Sequence, residues 1–292
     1  MIGVADLERT YAFYHAVGID LERPGPMPKP AVLPEALTKL VDVPAGTKFR
    51  NLMLKIPNAE FAMEVTEFSG MELHPVKPRV QDGGASVLFL RVNNVDAALG
   101  AAKKAGAEVI STGGGPVTVQ FRNGVDGRTV TVRDPDGYYV ELAQPPDAAP
   151  GPGEIIGARF GFVVQDSARA ANFYRDYFGL DVRVGTASTN DSRNVGLPAA
   201  RIRAASATIP GTKLQWSFGE FQGVDRKSYT PRIPDPGAAA VGLQVRDIDT
   251  AIAAIQAAGG TSITQGGSIQ LGKNKVGFVR DPSGILVEFA QP

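Results

Sequence analysis

The sequence predicts an α+β fold built from four similar strand–helix–strands units, two in each half of the chain. Three observations carry this: an internal repeat, a shift between helical and strand periodicity inside each copy, and a Pro/Gly-rich joint between the copies. The segments EFSGMELHPVKPRVQDGGASVLFLRVNNVDAA, from Glu67, and EFQGVDRKSYTPRIPDPGAAAVGLQVRDIDTA, from Glu220, align without a gap at a constant offset of 153. The alignment keeps Pro78/Pro231, Arg79/Arg232, Asp82/Asp235 and Gly84/Gly237. The endings RDPDGYYVELAQP (133–145) and RDPSGILVEFAQP (280–292) match, as do the openings ADLERTYAFYHAVGID (5–20) and QDSARAANFYRDYFGLD (165–181). Two domains follow, at 1–145 and 155–292, with PDAAPGPGE (146–154) as linker.

Within the first half, Asp6 is placed to cap a helix whose apolar face is Leu7, Tyr11 and Tyr14. Residues 47–56 and 59–68 read as strands around a turn at Asn58, and 86–92 as a buried strand. Asn94 or Asp96 opens a second helix that stops at Gly106. The strands 117–121 and 128–132 flank a Gly-rich turn, and 138–143 closes the half. The second half repeats this: a strand at 159–164, a helix from Asp166, strands near 201–218 and at 241–245, a helix from Asp249, a hairpin, and a strand at 285–290.

Composition removes whole classes of function. Lys+Arg and Asp+Glu are both 30, so no global field favours a nucleic acid or a membrane surface. No run approaches the ~18 apolar residues of a membrane helix, and no secretory leader is seen, so a cytoplasmic protein is expected. The absence of cysteine excludes disulfides, thiolate metal sites and Cys nucleophiles. The two histidines, His15 and His74, fall at a helix end and in a Pro-rich loop and read as surface residues. GSIQLGKN (267–274) has Asn where a phosphate loop needs Ser or Thr, and it lies in a hairpin.

The opening Asp-x6-Phe-Tyr…Gly (Asp6, Phe13, Tyr14, Gly18; Asp166, Phe173, Tyr174, Gly179) resembles the vicinal oxygen chelate superfamily, and so does the ending Arg-Asp-Pro-x-Gly-x3-Glu. That superfamily includes glyoxalase I, extradiol dioxygenases and bleomycin-resistance proteins. The resemblance implies βαβββ modules whose paired sheets curl into ligand-holding cups. It also implies up to four metal ligands per cup: one on a first strand, a Glu late in the first module, a His on the first strand of the second, and a Glu closing the last strand.

Carried over residue by residue, this pattern is incomplete. The closing carboxylates are Glu141 and Glu288, each readable as metal ligand or general base, or as a carboxylate satisfied by a nearby Arg. The mid-module Glu is Glu64, and at the repeat offset its counterpart is Ser217. The second-module His positions hold Val87 and Ala240. The first-strand position holds Arg159, which stays protonated and can pair with Glu141 or Glu288 or bind an anion. In the first half that position precedes Met1, so the first strand reads as truncated. A site shared between halves would pair Glu64 with Glu288. Trp216, beside Ser217, reads as packing or as ligand stacking. Arg79 and Arg232 read as partners of Asp82 and Asp235.

The expected function is therefore binding of a small organic molecule in a cup whose metal site is largely degenerate, with no cofactor. The alternative is a glyoxalase-type lyase, isomerase or epimerase using Glu64 and a closing Glu with a divalent cation (Zn, Ni, Mn, Fe or Mg). Dioxygenase chemistry is less favoured because its iron needs two histidines. A monomer or homodimer is expected, with no nucleic-acid or membrane partner.

Overall fold

The structure, a computed structural model, describes residues 1–292 apart from Arg122 and Lys213. Its elements fall into four modules. The first has β1 (Ile2–Val4), α1 (Leu7–Ala16), β2 (Asp20–Leu21), β3 (Ala31–Val32), α2 (Glu35–Val41), β4 (Lys48–Lys55) and β5 (Ala62–Ser69). The second has β6 (Ser86–Val92), α3 (Val95–Lys104), β7 (Glu108–Val109), β8 (Val117–Gln120), β9 (Asp126–Arg133) and β10 (Tyr139–Gln144). The third has β11 (Ile155–Val163), α4 (Ser167–Phe178), β12 (Asp181–Val184), β13 (Arg201–Thr208) and β14 (Gln215–Gln222). The fourth has β15 (Ala240–Gln244), α5 (Ile248–Ala257), β16 (Thr261–Ser262), β17 (Ile269–Leu271), β18 (Asn274–Arg280) and β19 (Leu286–Gln291). Among the described residues no helix is long and apolar enough to cross a membrane.

The long helices start where a side chain can satisfy open backbone N–H groups. Asp6, Asn94, Asp166 and Asp247 cap α1, α3, α4 and α5. The last helix thus begins one residue before Asp249, because Asp247 accepts from both Asp249 N and Thr250 N. The repeated Glu67 and Glu220 act alike. Each accepts from the first N–H of a helix, at Leu7 and Ser167, and is paired to an Arg, Arg50 or Arg203.

Strand pairing crosses the two halves. Modules 2 and 3 share one nine-stranded sheet, joined where β6 and β11 run antiparallel from Ile155–Val92 to Phe162–Ser86. Modules 1 and 4 meet through β1 and β15, by the Ile2–Ala239 bridge and the Met1–Ala240 and Gly3–Ala238 main-chain bonds. The repeats at 1–145 and 155–292 therefore do not each close a cup; one cup belongs to modules 1 and 4, the other to modules 2 and 3. Within each half the modules are tied by the two sequence motifs: Tyr14 Oη donates to Asp134 at 3.0 Å, and Tyr174 Oη to Asp281 at 2.8 Å.

The Pro-Arg loops clasp the halves to each other. Arg79 pairs with buried Asp82, which also accepts from Lys227 N; Arg232 pairs with buried Asp235, which accepts from His74 N. Gly237 (φ +96) sits in this clasp, where a Cβ would run into the Val76 carbonyl.

Candidate functional site

Alternation along a strand sends successive side chains to opposite faces of the sheet, one toward the helices and one toward the cup. On β5, Met63 and Val65 enter the core, so Glu64 faces the cup. Asn51, on the same face of β4, donates to Glu64 Oε1 at 2.8 Å. On β19, Val287 and Phe289 are fully buried, so Glu288 faces the same cup from module 4. Its cross-strand neighbours are Gly242 on β15 and Phe278 on β18. Burial, and then the charge of Glu64, push the Glu288 carboxyl up to about 7.

A cavity of about 680 Å³ opens over these two carboxylates. Its apolar lining includes Met53, Phe61, Phe160, Leu243, Leu271 and Val276. Glu64 and Glu288 are the only charged side chains lining it among the described residues. The far end of this cup is closed by the helix α2 segment. Leu33, Leu40 and Val43 pack there on Phe68, Phe278 and Leu286, and Thr264 Oγ1 donates to Leu40 O.

The second cup holds the other candidates. Arg159 on β11 donates from Nη1 to Ser217 Oγ at 2.8 Å, and its guanidinium lies 4.0 Å above the Phe89 ring. Glu141 on β10 pairs across the sheet with Phe89 and Thr131. Asn194 Nδ2 donates to Glu141 Oε2 at 2.9 Å. Burial lifts the Glu141 carboxyl to about 7; Arg159 and the Asn194 hydrogen bond pull against this, while Asp191 adds to it. Asp191 is itself raised by burial. This cup is filled by the chain's own residues 188–200. Val195, Leu197 and Ala200 pack on Tyr139, Val87 and Ile110, and Ser111 Oγ donates to Asn194 O.

The structure thus gathers Glu64 with Glu288, and Glu141 with Arg159 and Ser217. It does not place Trp216 in either cup. Because Ser217 faces the cup, Trp216 faces the helices; it is fully buried, with its ring 4.2 Å from that of Tyr174. His15 and His74 are exposed, each beside an acidic residue, Asp20 and Glu72. Asp191, Asn194 and Phe89 emerge only from the fold. They carry no motif, and the 188–200 segment has no periodicity to point at.

The donors do not make the four-ligand metal pattern. The cup of modules 1 and 4 offers two carboxylates, with Ala240 on β15 at a position that needs an imidazole. The other cup offers Glu141, with Val87, Ser217 and a permanently charged Arg159 at the remaining positions. Among the described residues no three His, Asp or Glu side chains come together to hold an ion.

A family model described as Glyoxalase/Bleomycin resistance protein/Dioxygenase superfamily matches residues 1–142 and again 158–289. The chain belongs to that superfamily. Superfamily members commonly use divalent metals. Among solved structures, glyoxalase I from Zea mays is 20% identical with a TM-score of 0.61, over 99% of this chain and 89% of the maize one. A point mutant of the maize protein gives a TM-score of 0.63 at 20% identity, over 99% of this chain and 89% of that one. A putative dioxygenase from Bacillus subtilis gives 0.55 at 13% identity, over 100% of this chain and 83% of that one. At these identities the likeness is one of fold. No curated protein matches the chain.

Proposed function

We propose that this superfamily member binds a small organic molecule in the cup of modules 1 and 4, through contacts that need no metal. The observation that supports this is the cavity of about 680 Å³ over Glu64 and Glu288, a size suited to a small ligand and mostly apolar at its walls. The cup of modules 2 and 3 is structural, its interior taken by residues 188–200. Both cups come from one chain, so a monomer suffices.

Titration with the neutral apolar fluorophore N-phenyl-1-naphthylamine, followed by a panel of small organic molecules, tests the reading. One saturable site is expected, and it is lost in Ala62→Trp, which puts bulk at an exposed cavity position. A ligand at 100 times its Kd adds about 2.7 kcal/mol of stability, readable as a rise in Tm. No saturable binding by any probe refutes the proposal.

A second reading, proton transfer on the bound molecule, draws support from the Glu288 carboxyl at about 7, where a group both gives and takes protons near neutrality. Glu288→Gln then abolishes turnover of the bound compound while leaving its affinity within a few-fold; unchanged turnover refutes this role.

A further inference from the structure

The two halves differ where the opening helix meets the closing Asp-Pro turn. The openings align at an offset of 160 and the endings at 147. The equivalent bonds Tyr14–Asp134 and Tyr174–Asp281 show that both alignments hold in space. In the first half, Arg9 on α1 reaches Asp136 in the turn, Nη2 to Oδ1 at 2.7 Å. The buried Asp136 carboxylate also accepts from Ala5 N at 3.3 Å and from Thr10 Oγ1. This ion pair braces module 1 against module 2.

The second half keeps the cation and lacks the anion. Arg169 on α4 is the counterpart of Arg9, but Ser283 stands where Asp136 does. Arg169 is exposed, and no carboxylate meets its guanidinium among the described residues. Gln165 N, the counterpart of Ala5 N, has no acceptor among the described residues either. Two aspartates border the place, and each has an arginine of its own. Asp166 is paired to Arg203 at 3.0 Å, and Asp176 to Arg175 at 2.8 Å. Arg169 is the charge left over.

In place of the ion pair, the second half has a groove of about 530 Å³ between α4 and the turn. Its polar end is formed by Arg169, Asn172 and Ser283, and its apolar side by Phe173, Tyr177 and Pro282. The half-exposed Tyr177 ring lies 5.0 Å from that of Phe173, tilted by 36°. In the first half the counterparts of Asn172 and Tyr177 are Ala12 and Val17. The second half thus sets an amide and an aromatic plate beside its unpaired arginine.

We propose that this groove binds a small aromatic carboxylate, its carboxylate taking the place of the Asp136 side chain against Arg169 and its ring lying on Tyr177. The bound molecule ties module 3 to module 4 as Arg9–Asp136 ties module 1 to module 2, so occupancy stabilises the fold. The site is separate from the cup of modules 1 and 4 and does not depend on what that cup holds.

The test uses 2-naphthoate on the full chain, with Ala62→Trp as a second protein in which the cup is blocked. Fluorescence anisotropy should show one saturable site in both, and saturation should raise Tm. The neutral isostere 2-naphthamide should bind about tenfold more weakly, and Arg169→Gln should weaken naphthoate binding by about the same factor. Ser283→Asp restores the carboxylate of the first half, so it should raise Tm without ligand and abolish naphthoate binding. If naphthoate binds the wild type but not Ala62→Trp, it sits in the cup; the groove proposal is overturned and the cup reading stands. Absence of saturable binding overturns the proposal, as does binding that the amide equals or that survives Arg169→Gln. A Ser283→Asp protein that binds naphthoate as before shows that the groove is not the counterpart of the Arg9–Asp136 seat, and the proposal falls.

Discussion

Replacing Glu141 with glutamine should stabilise the protein above neutral pH. The carboxyl is raised from its ordinary 4.5 to about 7, chiefly by burial. The folded state therefore holds a proton that the unfolded state has already released. Stability from this group is fully present below 4.5, falls as pH rises toward 7, and stays reduced above that. The interval corresponds to on the order of 3 kcal/mol. Glu141 is only partly buried and Arg159 offsets some of the cost of its charge, so about 1–3 kcal/mol is expected. Glutamine keeps the carbonyl that accepts from Asn194 Nδ2 and carries no charge. Urea unfolding of both proteins at pH 5 and pH 8 isolates the effect, since Asp134, also lifted to about 7 by burial, is common to both. The variant should be more stable by that amount at pH 8 and close to wild type at pH 5. A variant no more stable at pH 8, with an unchanged pH slope, would refute the argument that burial dominates this group.

Trp216→Ala should cost about 3–5 kcal/mol of stability, read by urea unfolding, and leave affinity for a cavity probe unchanged, because the ring is core and not wall. Gly237→Ala should yield insoluble or strongly destabilised protein, by about 3 kcal/mol or more, since the new Cβ meets the Val76 carbonyl at a positive φ; Gly259→Ala, at a comparable φ with open space, should cost only about 1–2 kcal/mol. Elemental analysis of protein purified without chelators or affinity tag should find well under one equivalent of Zn, Ni, Mn or Fe, because the two carboxylates of one cup lack imidazole partners. A stoichiometric, chelator-resistant metal would show that the donor count is wrong.

Much of the fold was legible because the relevant signals are local or repeated. The offset of 153 exposed the duplication, and capping side chains located the starts of four helices, displaced by one residue at α5, where Asp247 and Asp249 compete within one turn; α2 escaped the sequence reading, because Pro34 at its start offers no capping side chain. The start of β11 was harder. Ile155–Ala158 follows a Pro/Gly-rich stretch, and what makes it a strand is its partner β6, a tertiary effect that no local pattern carries. The meeting of Glu64 with Glu288 followed from the resemblance once a site shared between halves was considered. The filling of the second cup did not, because residues 188–200 are held by bonds to Ser111 and Glu141, far away in sequence. Trp216 was ambiguous for a simpler reason: one residue of strand register decides which face an aromatic takes.

The crossed pairing of modules bears on how the chain is made. The cup of modules 1 and 4 needs contacts such as Met1–Ala240 and Leu40–Thr264, each spanning more than two hundred residues. The inner cup of modules 2 and 3 joins neighbours in sequence across one linker. On the ribosome, the inner sheet is complete while the fourth module is still unmade. Until β15–β19 emerges, Phe49, Phe68 and the α2 segment have no partner wall. Module 1 is thus the first synthesised and the last to finish, and its waiting apolar face is the stage of biogenesis most exposed to aggregation and to chaperone capture.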